Sequence, residues 1–164
     1  MIPGVYTLNE LQQTLAAAPE HWRPLVFTNG CFDLLHAGHV RYLQVAKSLG
    51  RSLVVGLNSD RSVKTIKQQT PGCPPRPIVT ETQRAEVLAA LKSVDGVVIF
   101  SEATATLLIE ALQPDIYVKG GDYSLETLPE ASVVQAYGGR IELVKVEIPT
   151  STTAIIDRIL NFSD

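Results

Sequence analysis

Short apolar runs alternate along this chain with stretches whose apolar residues return every third or fourth position. The runs are Leu25-Val26-Phe27-Thr28, Ser52-Leu53-Val54-Val55-Gly56-Leu57, Val97-Val98-Ile99-Phe100, Ile116-Tyr117-Val118-Lys119 and Ile141-Glu142-Leu143-Val144. Each has strand length and β-rich composition, bounded by turn-forming or polar residues. Between them, Val40, Leu43, Val45, Ala46 and Leu49 recur at helical spacing, so His39 opens a helix. Val63 and Ile66 mark a short helix capped by Asn58-Ser59-Asp60, and Val87, Leu88 and Leu91 mark another, where Thr80 and Gln83 form a capping-box pattern. Ala105 to Leu112, a segment through Val133, Val134 and Tyr137 ending at Gly138-Gly139, and a last stretch from Ser151-Thr152-Thr153 to Leu160 complete the helices. This alternation predicts a doubly wound, Rossmann-like α/β fold, an open parallel sheet of about five strands with helices on both faces. One domain is expected, with its core over about residues 25–160 and residues 1–24 as an N-terminal extension packed on it.

In such sheets ligands sit beyond the carboxyl ends of the strands, where the strand order reverses. Four polar segments fall in the corresponding loops. The first runs from Thr28 through Asn29, Gly30, Cys31, Phe32 and Asp33 to His36, Gly38 and His39. It places two imidazoles three residues apart where a strand hands over to a helix, and the unpaired N–H groups of a helix start favour an anion there. Gly38 lets backbone approach a ligand closely. Read by residue type alone, the two histidines could also be metal ligands with Asp33 or Cys31, or a purely structural pair. No Cys-x-x-Cys or His-Glu-x-x-His pattern supports the metal, and no protein metal site is expected.

The other three segments are Asn58-Ser59-Asp60, Lys119-Gly120-Gly121-Asp122-Tyr123 and Pro149-Thr150-Ser151-Thr152-Thr153. The second joins a cation, a flexible backbone and a carboxylate, though a plain strand-ending turn would use the same residues. The third offers hydroxyls and N–H groups at a helix start, which suits phosphate as well as ordinary capping.

Composition narrows the partners. The chain has 164 residues, 45% of them hydrophobic and 19% charged, with a net charge of -3 and no long single-sign block. Nothing here suggests a basic face for nucleic acid or a membrane surface. Cys31 and Cys73 are too few for a disulfide framework and are expected to be free thiols. No secretory leader or membrane-spanning run is visible, and a cytoplasmic location is expected.

The spacing His36-Ala37-Gly38-His39 within Gly-Cys-Phe-Asp-Leu-Leu-His-Ala-Gly-His resembles the nucleotidyltransferase superfamily, in its cytidylyltransferase-like branch. Within that branch the chain is similar to the adenylyltransferase half of the bifunctional heptose kinase/adenylyltransferases. The likeness runs from Leu25 to about Leu160, and includes Leu88-Ala89-Ala90-Leu91 and Val94-Asp95.

The resemblance implies an adenylyltransferase that joins ATP to D-glycero-β-D-manno-heptose 1-phosphate and releases pyrophosphate, with Mg²⁺ accompanying the triphosphate. His36 and His39 would then donate hydrogen bonds to the α- and β-phosphates. Lys47 matches a lysine that related enzymes hold near the phosphates, although a solvated surface lysine is the plain alternative. Gly121 and Asp122 would lie against the nucleotide's sugar and base. Asn29 to Asp33, Gly38, Asn58 and Lys119 would line the nucleotide site, and Ser151, Thr152 and Thr153 would meet the β- and γ-phosphates. Asp33, Arg76 and Lys119 would reach the acceptor.

The Gln68–Pro77 loop departs from the family pattern, with Gln68-Gln69 where relatives often show Lys-Gly, which leaves the reach of Arg76 open. A homodimer and a separate sugar kinase are the implied partners. The alternatives are a glycerol-3-phosphate cytidylyltransferase and a nucleotide-binding regulator without turnover. The first is disfavoured because Val146-Glu147-Ile148-Pro149-Thr150-Ser151 lacks the arginine of that group's Arg-Thr-x-Gly-Ile-Ser segment.

Overall fold

The computed structural model describes residues 2–67, 72–121, 124–145 and 150–161. Its sheet contains the five expected strands and one more: β1 (Val5–Tyr6), β2 (Leu25–Gly30), β3 (Ser52–Asn58), β4 (Gly96–Phe100), β5 (Ile116–Gly120) and β6 (Arg140–Val144). All pairs are parallel, in the order β1-β4-β3-β2-β5-β6. The strand that sequence periodicity misses, β1, has two residues, paired as Val5 with Val97 and Tyr6 with Val98, too few to show a period.

The helices are α1 (Leu8–Ala17), α2 (Pro19–Trp22), α3 (Ala37–Ser48), α4 (Asp60–Ile66), α5 (Glu81–Ala89), α6 (Thr106–Leu112), α7 (Ala131–Ala136) and α8 (Thr152–Leu160). The first of these lies within the stretch expected only to pack as an extension. Its start is a full capping box, with Thr7 Oγ1 accepting from Glu10 N and Glu10 Oε2 accepting from Thr7 N. The box expected at Thr80 is absent: the Thr80 side chain makes no cap bond, and Leu91 lies beyond the end of α5. Groups at that helix start make tertiary contacts instead, with Glu81 Oε2 accepting from Asp60 N at 2.6 Å.

Two apolar layers sandwich the sheet. On one face Leu11 and Leu15 of α1, Leu108 and Ile109 of α6, and Val134 of α7 pack with Phe27, Val54 and Tyr117. On the other, Leu43 and Ala46 of α3 and Ala85 and Leu88 of α5 pack with Val26, Val55 and Val97. Each fully buried aliphatic side chain contributes about 1.5–3 kcal/mol, and helices on both faces explain why β3 is buried along its whole length.

Chain direction across the sheet reverses between β2 and β5. These strands pair only at Val26–Ile116 and Phe27–Tyr117, whereas β2 continues along β3 to Gly30 and β5 continues along β6 to Gly120. Beyond Tyr117 the two carboxyl ends therefore part and leave a crevice. Backbone groups freed there find side chains: Tyr42 OH donates to Val118 O at 3.1 Å and lies 2.7 Å from Thr28 Oγ1. Gly120 is required beside that tyrosine, since a Cβ would stand 2.9 Å from its ring.

Candidate active site

A cleft of about 890 Å³ opens over the parted ends of β2 and β5. Among the residues lining it are fifteen expected from sequence: Asn29, Gly30, Cys31, Phe32, Asp33, His36, Gly38, His39, Asn58, Arg76, Lys119, Gly121, Ser151, Thr152 and Thr153. Asp122 and Tyr123, with Gln68 to Pro71 and Val146 to Pro149, lie outside the described residues.

The histidine turn is built from its own backbone. Phe32 takes a left-handed φ of 44°, an uncommon conformation outside glycine, and its ring packs 5.4 Å from that of His39. Gly30 makes room for this ring, because a Cβ there would lie 2.9 Å from it. His36 is itself the N-cap of α3, its Nδ1 accepting from Gly38 N at 3.1 Å. That bond leaves the proton of the neutral ring on Nε2, so the imidazole is held as a donor in one tautomer. Sequence spacing assigned the helix opening to His39; the helix begins two residues earlier, with His36 as its cap.

The two rings sit 3.9 Å apart between centroids. Burial, with the neighbouring His36, pushes the His39 imidazole down to about 4, and burial also lowers His36. Both are therefore neutral at physiological pH. Nδ1 of His39 is enclosed and has no hydrogen-bond partner among the described residues. The start of α8 lies close by, where Thr152 Oγ1 donates to Leu34 O at 3.3 Å and Ser151 Oγ accepts from Ala154 N at 3.0 Å. Two helix N-termini thus meet at the cleft, where their dipoles favour a polyanion without a buried ionic charge.

Asn29 joins the strands that part. Its Oδ1 accepts from Tyr117 OH at 2.7 Å and from Lys119 Nζ at 3.2 Å. Burial lowers the pKa of the Lys119 ammonium, and the negative charge of Glu130 acts against that shift. The Cys31 thiol is pushed up by burial, which makes it a poor nucleophile.

Among the described residues, Lys47 is the one expected site residue that does not line the cleft. Lys47 lies outside the cleft, at the far end of α3, about 15 Å along the helix from its start; its Nζ pairs with Asp95 Oδ2 at 2.6 Å. Asp33 lines the cleft, but its carboxylate is engaged by protein donors. Oδ1 accepts from Ile78 N at 2.8 Å and Val79 N at 2.9 Å, and Oδ2 accepts from Arg76 Nε. Burial would raise this carboxyl, but those N–H groups and the guanidinium outweigh it and hold it below the usual range. Asn58 likewise uses its amide within the fold, donating to Ser62 Oγ at 2.9 Å.

Arg84, which sequence reasoning missed, completes this frame. It is only 1% exposed, and it donates to Val79 O, Cys31 O and Asp60 Oδ1. Asp33 and Arg84 together fasten segment 76–79 against the histidine turn, which is how Arg76 reaches the cleft. In sequence Arg84 looks like any charged residue on a helix; no local pattern marks its burial.

The parallel sheet with its ligand cleft at the reversal of strand order, and an imidazole pair on a helix start, define a nucleotide-handling α/β protein of the His-x-Gly-His type. The sequence model of the cytidylyltransferase-like family matches residues 27–158, and the chain belongs to that family. It is 50% identical over 151 residues, 92% of this chain and 30% of the other, to the bifunctional protein HldE of Syntrophotalea carbinolica. Similarity to the HldE of Geobacter metallireducens is 51% over 156 residues, 95% of this chain and 31% of that protein. The chain thus spans about a third of the length of these relatives. Among solved structures, a lipopolysaccharide core biosynthesis protein from Thermoplasma volcanium superposes with a TM-score of 0.59 at 29% identity, covering 74% of this chain and 94% of that one. A pantothenate synthetase from Thermus thermophilus, at 19% identity and a TM-score of 0.55 over 87% of this chain and 60% of that one, shares the fold.

Proposed function

We propose that this chain transfers the adenylyl group of ATP to D-glycero-β-D-manno-heptose 1-phosphate, forming the ADP-sugar and pyrophosphate. The observation that carries the reaction class is the neutral imidazole pair at the start of α3, facing a cleft where two helix N-termini meet. The choice of ATP and heptose rests on the similarity to HldE proteins over most of this chain.

A phosphate monoester is an anionic nucleophile at neutral pH, so attack on the α-phosphorus needs no activated side chain. One acceptor oxygen forms the new P–O bond in line as the bond from the α-phosphorus to the bridging oxygen breaks, and the electron pair leaves with pyrophosphate. No covalent enzyme intermediate is formed. His36 and His39 stabilise the charge that builds on the phosphate oxygens, and neutral donors do so without binding the ground-state triphosphate too tightly. Arg76 and Lys119, which line the cleft, would meet the acceptor phosphate. Magnesium enters as part of the nucleotide substrate, held by phosphate oxygens and water. The sugar 1-phosphate is supplied by a kinase step, and two copies of the chain are proposed to associate.

Pyrophosphate release tests the reading. Purified protein with Mg²⁺ is given ATP or CTP against a panel of sugar and polyol phosphates, and turnover is expected with ATP and heptose 1-phosphate. Preference for CTP with glycerol 3-phosphate would replace both substrates, and no release with any pair would leave a nucleotide-binding regulator.

A further inference from the structure

The cleft has a second wall, on the opposite face of the sheet from α3. It is formed where α6 and α7 begin, and Glu130, Thr104 and Thr127 contribute to its lining. Glu130 is only 3% exposed. Its Oε1 accepts from Ala105 N at 3.2 Å, which ties the start of α7 to the start of α6. Its Oε2 is enclosed and has no hydrogen-bond partner among the described residues.

A buried carboxylate oxygen without a hydrogen-bond donor is unusual: the charge interaction with Lys119 offsets part of its desolvation but leaves the hydrogen-bonding capacity of Oε2 unmet. The tie to Ala105 does not explain it, since a glutamine would accept the same N–H without burying a charge. A carboxylate can only accept, so this wall repels phosphate and selects N–H or O–H donors. The helix starts of α3 and α8 provide for the phosphates on the other side of the cleft. Besides phosphate, the donors that a nucleotide and a sugar phosphate present are mostly sugar hydroxyls, with the amino group of the base as the N–H donor.

We infer that Glu130 Oε2 is a binding acceptor for a sugar hydroxyl in the cleft, a role that rests on the sugar-nucleotide reading above. Both substrates of that reaction carry such hydroxyls, on the ribose of the nucleotide and on the acceptor sugar. A hydroxyl bonded to a charged, enclosed acceptor is lost at a cost of about 10- to 100-fold in affinity.

Glu130→Gln isolates the atom, because the amide keeps an oxygen for Ala105 N and replaces Oε2 with a donor. Calorimetric binding of MgATP and of sugar 1-phosphate, each measured separately from turnover, is expected to weaken about 10- to 100-fold for one ligand, with an unchanged melting temperature. The deoxy ligand then identifies the source. If ribose is bound, 2′- or 3′-deoxy-ATP binds wild type and variant alike; if the acceptor is bound, a deoxy sugar 1-phosphate does so. Should Glu130→Ala unfold, Glu130→Gln still carries the test.

Equal affinities of wild type and Glu130→Gln for every sugar-bearing ligand would overturn the inference. So would a variant whose only defect is a raised Mg²⁺ requirement, since Oε2 would then serve a cation. Failure of the adenylyltransferase reading is separate, seen as wild-type protein that releases no pyrophosphate while the binding comparison still reports on Glu130.

Discussion

At the amino ends of β2 and β3, two aspartates each meet a backbone N–H within the first two residues of a strand and one cation. Asp115 Oδ2 accepts from Leu25 N at 2.6 Å and pairs with Arg23 at 2.9 Å; Asp95 Oδ2 accepts from Leu53 N at 2.7 Å and pairs with Lys47 at 2.6 Å. At the carboxyl ends of the same sheet the polar groups are left in a different state. His39 Nδ1 and Glu130 Oε2 are enclosed without partners among the described residues, and His36 is locked by its own helix as an outward donor. The same residue types thus secure strand starts at one end and stand ready for a ligand at the other. Between these extremes Asp33 and Arg84 sit beside the cleft but spend their bonds on holding it in shape. Within the cleft, unmet hydrogen-bonding capacity separates His39 and Glu130 from the frame; Tyr137 OH, also enclosed without a partner among the described residues, lies outside the cleft, where the charges of Asp115 and Arg23 act on it.

Substitutions at the two ends should therefore fail in different ways. The largest effect is expected at the carboxyl end, where His39→Ala should lower turnover by about 10²- to 10³-fold while ATP affinity changes far less. Pyrophosphate kinetics beside calorimetric binding measure the split, and equal losses in both would reduce the residue to a ground-state contact. Next comes Asp33→Asn, which removes the charged acceptor holding Arg76 and the N–H groups of residues 78 and 79. A rise of roughly tenfold in KM for the sugar phosphate, with little change for ATP, is expected. A larger change for ATP would mean that the segment serves the nucleotide.

Asp95→Ala tests the other end. Leaving Leu53 N unmet costs about 1–3 kcal/mol of stability, which lowers the melting temperature by about 2–12 °C for a chain of this size. Turnover at 25 °C should stay within about twofold of wild type; a large kinetic loss would erase the distinction between the two ends. Lys47→Met should change turnover least, by less than about threefold, because the side chain lies a helix length from the cleft.

Proton linkage gives a further comparison. The folded-state value of His39, about 4, lies below the ordinary imidazole value of 6.5, so folding favours the neutral ring. Its contribution to stability is complete above pH 6.5 and is lost as pH falls from there towards 4. Melting temperature should decline across that window, and His39→Gln should flatten the decline. Identical slopes in the two proteins would show that other groups dominate acid unfolding.

Much of the fold could be read from the chain because its cause is local. Apolar runs and helical spacing located five of the six strands, and Thr28 to His39 marked the turn that carries the imidazole pair. The unread pieces had either too little sequence or the wrong kind of signal. Two residues of β1 show no period, and the Thr7-x-x-Glu10 box that starts α1 was available but lay in a stretch without a flanking strand pattern. Lys47 lies away from the cleft and Asp33 lines it with its carboxylate already engaged, for a common reason. Both have the residue type that phosphate or acceptor sites use, but a charge is defined by its partner, and their partners lie 48 and 45 residues away at Asp95 and Ile78.

By itself, then, the sequence determined the alternation that winds the chain into a parallel sheet, and the chemistry of the strand-to-helix turn from Thr28 to His39. Those depend on steric and hydrogen-bonding preferences acting over a few residues. Tertiary structure decided which polar groups are satisfied. Packing the helices on two faces brought Asp95 under Lys47, closed Asp33 around segment 76–79, buried Arg84 among three segments and left Glu130 with one oxygen unmet. Burial makes each of these outcomes costly to change, and burial is a property of the whole packed chain.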